Sequence, residues 1–540
     1  MNRNYIDIIT VIAYFVITLG IGFWFGRDKR DSADQYFISK KSLPWWAIGA
    51  AYVATGLNSE QLIGMDGMGY RIGLPLVNSY LIAIFVYTAL IFFFFPLYLR
   101  NGIVTMPQYL GKRFNNKCQN VFSVLLLLSY IFLSLAVVLY GGAKLFEIIY
   151  GVPIWLGVLI LGVIAGIYTI YGGMTSMINA SVFQFILMFV AGGVLFYMGY
   201  LQLPNGWNDI VKYAPGGFHL IQPMDYPVMP WHAVLFAFFN LQLFYSCINQ
   251  ALVQRGFGAK TEWDVRMAII FALVFVLLRP FLEVLPGMMA RALAYTGHNK
   301  FLVNSDQIDN VYPILIENLI PVGMKGLILV GILASVMSTI SAFLNSISTL
   351  FTYDVYKKWI NKNATDKMLV KVGVLSTFGL MIFSVLYAPI IGNLGGIFLY
   401  FQTASTYLAV PVATCFLFGM FWKRTTPAAA LSVMIGGIPL GLLIQLVIIP
   451  FLFNPEIIHK YSLTNFYVSC GISQFFCAII IIGVSLYTKP RESEEISSLI
   501  WRKKLLKLPA NEPKRQFWQS VWLWWSILVI IYAIFYYMWW

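Results

Sequence analysis

Ala54-Thr55-Gly56-Leu57-Asn58-Ser59-Glu60-Gln61, followed by Gly64, Gly67 and Gly69, interrupts an otherwise apolar run over residues 45–73. A run of that length crosses the roughly 30 Å hydrocarbon core of a bilayer as a helix. Polar side chains and repeated glycines in its middle do not suit an unbroken one. A second stretch of this kind, Asn240-Leu241-Gln242-Leu243-Phe244-Tyr245-Ser246-Cys247-Ile248-Asn249-Gln250, lies in the apolar run 231–254. Interrupted helices at corresponding places in two halves of a chain mark a site near the bilayer midplane. An unwound turn offers carbonyls to a cation and N–H groups to a solute. For either stretch alone, the plainer alternative is a polar helix lining a seam between neighbours.

The rest of the composition agrees with a membrane setting. Of 540 residues, 59% are hydrophobic and 11% charged, with a mean hydropathy of +0.76. The apolar runs lack the alternation of a barrel strand, which predicts an all-α integral membrane protein. Fourteen spans are expected, near 5–26, 45–73, 76–99, 120–149, 153–171, 176–203, 231–254, 266–293, 323–352, 368–390, 394–422, 426–452, 463–487 and 517–540. The first is too long for a signal peptide and is expected to be retained. The whole chain, 1–540, reads as one transmembrane domain.

The net charge of +14 does not point to nucleic acid, because of where it lies. Basic residues gather in alternate loops: Arg27 to Lys41, Arg100 to Lys117, Arg255 to Arg266, Lys357 to Lys367, Lys423 with Arg424, and Lys489 to Arg515. That is the positive-inside pattern. It predicts a multi-pass protein of the inner (plasma) membrane with both termini extracytoplasmic. Five scattered cysteines and four histidines offer neither a disulfide framework nor a zinc site. With no phosphate loop or nucleotide fingerprint, no organic cofactor, catalytic residue or obligate protein partner is expected.

Ser335, Ser338 and Thr339, in the span that continues to Leu350, fall on one helical face at i, i+3 and i+4. Hydroxyl oxygens are hard ligands suited to an alkali cation; the alternative is that they let helices pack closely or bond to their own backbone. Intramembrane charges are costly and informative. Glu60 and Asp66 stand in the first interrupted run, where they also admit a weak reading as an enzyme's carboxylate pair. Arg279 and Glu283 stand four apart in the run 266–293, where they can pair.

Several motifs then resemble a known family. They are Phe37-Ile38-Ser39-Lys40-Lys41-Ser42-Leu43-Pro44-Trp45-Trp46, Ser59 to Met65, Tyr168-Thr169-Ile170-Tyr171-Gly172-Gly173-Met174, Phe343-Leu344-Asn345-Ser346 through Lys357, and Gln402 to Leu408 with Phe421-Trp422-Lys423-Arg424. In this order they resemble the sodium/solute symporter family, and within it the sodium/galactose and sodium/glucose cotransporters, over about residues 5–425. The resemblance implies a LeuT-type fold. After a peripheral helix at 5–26, it has inverted five-helix repeats at 45–203 and 231–422, then further helices over 426–540.

It also implies sodium-driven symport of a small polar solute, a sugar or sugar derivative, by alternating access. Sodium would be held by carbonyls of Ala54 and Leu57 with the hydroxyls of Ser335, Ser338 and Thr339. Gln61, Met65, Tyr80, Gln242, Phe398 and Gln402 stand at solute-site positions, and Tyr245 at an aromatic inner gate. The chain departs from the sugar transporters in having Tyr80 for a glutamate, Val276 for a lysine, Gly56 and Gln242 for asparagines, and Ser181 for an acidic residue beside a second sodium path. Arg279, three residues after Val276, is the candidate replacement anchor, favouring an acidic or heavily hydroxylated sugar. A sugar acid, polyol or other organic anion, or a solute sensor of transporter shape, are the alternatives.

Overall fold

The computed structural model describes residues 5–27, 32–58, 60–226, 228–304, 307–393, 397–491 and 494–540. They are helical almost throughout. Nine helices frame the region of the two breaks: α1 (Tyr5–Gly26), α2 (Trp45–Gly56), α3 (Met65–Ile72), α4 (Ile154–Tyr200), α5 (Gln250–Phe257), α6 (Glu262–Val276), α7 (Leu285–Tyr295), α8 (Lys325–Leu350) and α9 (Ile397–Phe421).

Eleven helices among the described residues are long and apolar enough to cross a membrane, so the expected fourteen are not all of that kind. The runs at 153–171 and 176–203 are two helices that meet at a kink at Gly173, taken together here as α4. Those at 45–73 and 266–293 are divided, into α2 with α3 and α6 with α7, none longer than 15 residues.

Both expected breaks are present. α2 ends at Gly56, and Leu57 is extended (φ −93°, ψ 100°). Asn58 Oδ1 then accepts from the Gln61 backbone N–H at 3.0 Å, and a wide π-type turn, Glu60–Gly64, leads into α3. In the second case the chain winds widely through Phe244–Ile248, opens at Asn249 (φ −66°, ψ 119°) and restarts as α5. There Asn249 Oδ1 accepts from the Ala251 N–H at 2.9 Å. The first N–H groups of a helix lack intrahelical partners, and an asparagine side chain supplies one.

A third break is not among the expected ones. α6 stops at Val276, Leu277–Arg279 form a turn, and a short helix restarts at Pro280. Proline has no N–H to bond backwards, so it favours the first turn of a new helix.

α8 is the axis of the molecule. Of its span, 94% is buried, against 22% for α1, whose Ile9, Ile12 and Val16 are exposed. α4, α1 and α2 all pack on α8, so its hydroxyl face addresses protein rather than lipid. At one end, the loop before α2 is tied to α5: Leu43 N–H donates to Gly258 O at 3.1 Å and Gln254 Nε2 to Phe37 O at 3.0 Å.

α4 bends at Gly173, whose φ of 55° and ψ of −153° suit glycine alone. A Cβ there would lie 2.5 Å from Tyr36 O. Gly173→Ala is therefore expected to destabilise the fold by about 1–3 kcal/mol, read as a lowered midpoint in thermal unfolding of the detergent-solubilised protein.

Candidate functional site

A cavity of about 110 Å³ lies where the broken helices meet, room for several water molecules or a small polar solute. Gln61, Met65, Tyr80, Gln242, Tyr245, Gln402 and Arg279 all line it. Phe398 begins α9, but its side chain lies outside the described residues, as does that of Glu60. Phe401, three residues on, is at the cavity instead, its ring centroid 5.8 Å from that of Tyr245.

The polar groups of the lining are held in place. Tyr80 Oη donates to Gln61 Oε1 at 3.2 Å. Arg279 is clamped on three sides. Its Nε and Nη2 donate to Glu283 at 3.1 and 2.8 Å, Nη2 donates to Gly56 O at 2.9 Å, and the guanidinium lies 4.6 Å over the Tyr80 ring. The Arg279 and Glu283 side chains are 10% and 0% exposed. Arg279 lies three residues beyond Val276, past the end of α6. It stands in the turn that ends α6, and that turn delivers it to the break. A Cβ at position 56 would lie 3.4 Å from Nη1, in contact with the guanidinium.

The hydroxyl face of α8 approaches the same break. Ser335, Ser338 and Thr339 are wholly buried, as are Ala54 and Leu57. Thr339 Oγ1 is 3.2 Å from Thr55 O and 3.0 Å from Ser335 O, sharing one hydrogen between them. Ser338 Oγ is 2.9 Å from Ser181 Oγ. Ser335 Oγ has no hydrogen-bond partner among the described residues. An orphaned buried oxygen is expensive unless something else meets it, and a set of hydroxyl oxygens beside the backbone of the α2 break fits a hard monovalent cation.

The sequence profile of the sodium:solute symporter family matches residues 36–437. The chain belongs to that family. It is 32% identical over 485 residues to a sodium/glucose cotransporter of Vibrio parahaemolyticus, covering 85% of this chain and 89% of that one. It is 31% identical to sodium/glucose cotransporter 1 of Oryctolagus cuniculus, over 92% and 81% of the two chains. With sodium/myo-inositol cotransporter 2 of Mus musculus the identity is 30%, over 92% and 79%. The fold is that of a Na+-coupled sialic acid symporter solved with substrate in an outward-open state, with a TM-score of 0.77 over 90% of this chain and 99% of that one, at 20% identity. That is the LeuT-like architecture. The family and these neighbours are transporters, and sodium-coupled symport across a membrane is the activity class of this symporter.

The second unwound turn of the symporter places two of its carbonyls on tyrosines. Tyr52 Oη donates to Ser246 O at 2.8 Å and Tyr98 Oη to Cys247 O at 3.0 Å. Tyr130 Oη donates to Asn249 Oδ1 at 2.7 Å. Asn58, Tyr87, Asn249 and Phe401 line the cavity without having been singled out from the sequence; Asn58 and Asn249 carry a readable signal, an asparagine just before each restarted helix. Asp66 is buried against the start of α7. Its Oδ1 accepts from Gly287 N–H at 2.9 Å, at the start of α7, as an acceptor for a helix N-terminus should. Among the described residues no cluster of three or more His, Cys, Asp or Glu is placed to hold a metal.

Breaking a buried ion pair leaves an uncompensated charge. Glu283→Gln is expected to cost about 3–5 kcal/mol, whereas Arg279→Met combined with Glu283→Gln should recover part of the loss. A thermal-unfolding double-mutant cycle measures the difference.

Proposed function

We propose that this symporter carries a neutral, polyhydroxylated solute, a sugar or polyol, inward with sodium. The observation that carries this reading is the cavity's polarity: three glutamine amides and three tyrosines surround one cation, Arg279, whose charge Glu283 cancels. Amides both donate and accept, which suits hydroxyls in either sense. Arg279 Nη1 makes no hydrogen bond among the described residues, since Nε and Nη2 take up its partners, and it offers two N–H donors to a solute hydroxyl. A carboxylate would gain less from a guanidinium already neutralised bidentately, so the acidic sugar favoured by the bare presence of Arg279 becomes the second choice. The glucose and myo-inositol cotransporters among its relatives agree with the first; the sialic acid symporter that shares its fold agrees with the second.

Sodium would sit among the Ala54 and Leu57 carbonyls and the hydroxyls of Ser335, Ser338 and Thr339. A hydroxyl that gives its hydrogen to Thr55 O or Ser335 O keeps its lone pairs for a cation. Binding there orders the α2 break that also lines the solute cavity, which couples the two cargoes. The two bundles then rock about the site, Tyr245 closing the inner side. Entry of one charge down 100 mV supplies about 2.3 kcal/mol. The basic loops face the cytoplasm of a cell bounded by this inner (plasma) membrane, with both termini outside.

Thr339→Ala removes the oxygen that touches both α2 and α8. Uptake into proteoliposomes should need sodium in the wild type, and half-saturation should rise at least about tenfold in Thr339→Ala, the loss expected for one charge-assisted contact. Uptake equal in potassium and sodium refutes the coupling; solute-induced signalling without uptake favours a sensor.

Arg279→Lys keeps the charge and loses the free Nη1 donor. In sodium, glucose and myo-inositol should raise the melting temperature of the wild type more than sialic acid does, and Arg279→Lys should weaken the preferred solute about tenfold. A larger shift with sialic acid would make the solute acidic; an unchanged affinity in Arg279→Lys would leave the pair a purely structural one.

A further inference from the structure

Arg255 carries a full charge in the protein interior with no carboxylate paired to it among the described residues. It lies in α5 and is 1% exposed, yet among the described residues the ion pairs join other groups only. Its Nη1 donates to Ser181 Oγ at 3.2 Å and its Nη2 to Ser338 O at 3.3 Å, and Nε has no acceptor. Buried arginines are ordinarily paired. This one is held by two serines, on α4 and α8. Ser181 Oγ in turn touches Ser338 Oγ at 2.9 Å, and Ser341 Oγ donates to the same Ser338 carbonyl at 2.9 Å.

The guanidinium therefore stands one hydroxyl away from Ser338, an oxygen proposed to hold sodium, and this inference rests on that proposal. Ser181, Ser338 and Ser341 supply a second group of hard oxygens beside the first. The guanidinium donates to two of its oxygens, Ser181 Oγ and Ser338 O. We infer that Arg255 is a tethered cation filling the place next to the sodium site, so that the protein binds a single sodium and binds it weakly. Two like charges this close in the interior repel strongly enough to cost roughly a factor of ten or more in affinity. The contact also relays occupancy. A sodium ion on the Ser338 lone pairs turns that hydroxyl's hydrogen toward Ser181 Oγ, which already accepts from Arg255, so ion arrival is felt at α5 through one shared oxygen.

Binding of radioactive sodium to the purified protein tests this without a solute. The wild type should bind one sodium per chain. Arg255→Gln should tighten that binding roughly tenfold, and Ser181→Asp, by giving Arg255 its missing counter-charge, should tighten it with the count still at one. Arg255→Gln with Ser181→Asp should bind two sodium ions. Thr339→Ala should weaken the first ion in every background. Two ions on the wild type, or an affinity and count unmoved in all three variants while Thr339→Ala still weakens binding, overturns the role of Arg255 alone. Binding indifferent to Thr339→Ala removes the sodium assignment beneath it. Ser181→Asp decides the matter if Arg255→Gln fails to fold.

Discussion

A helix cannot be opened inside hydrocarbon unless its freed N–H and C=O groups find partners within the protein. Here those partners come from elements far away in sequence. Arg279 takes the Gly56 carbonyl, Thr339 the Thr55 carbonyl, and Tyr52 and Tyr98 the carbonyls of Ser246 and Cys247. Of these donors Arg279 also lines the cavity, as do Thr55, Gly56 and Ser246. Repairing the backbone and building the site are one arrangement, since residues that offset the cost of the break also present polar atoms to whatever lies beside it.

Burial decides which polar groups can take part. Along α8 the small side chains of Ser335, Ser338 and Thr339 are enclosed by α2 and α4, where water does not compete and an unmet oxygen is costly. The same hydroxyls on the outer face of α1, among Ile9, Ile12 and Val16, would be exposed. Charge follows the same logic. Arg279 tolerates burial because Glu283 neutralises it, and Arg255 does so through serine oxygens alone, the least compensated charge in the neighbourhood.

Much of this is legible in the chain. The breaks at Leu57 and Asn249 show as polar and glycine residues inside apolar runs, and the hydroxyl face of α8 follows from helical spacing. The kink between the two halves of α4 is legible too, in the double glycine Gly172-Gly173. The break after Val276 escapes a reading of the sequence although Pro280 announces it, since proline in a membrane helix is often tolerated. Proximity to a family position points to Arg279, but not to its true route through that turn. Arg255 gives no sign of itself at all. Its basic side chain sits where loop charges are expected, and only tertiary packing shows that it points inward.

The tie between the loop at Phe37–Leu43 and the end of α5 has a mechanical meaning. Two half-helices some two hundred residues apart in the chain share one clasp, so neither end can tilt far without pulling the other. Stiffness at that end and open backbone at the other make a lever of the pair, with its compliant hinge at the cavity. Motion started at one broken helix is then delivered to both, and the protein needs no long rigid connector to keep its halves in step.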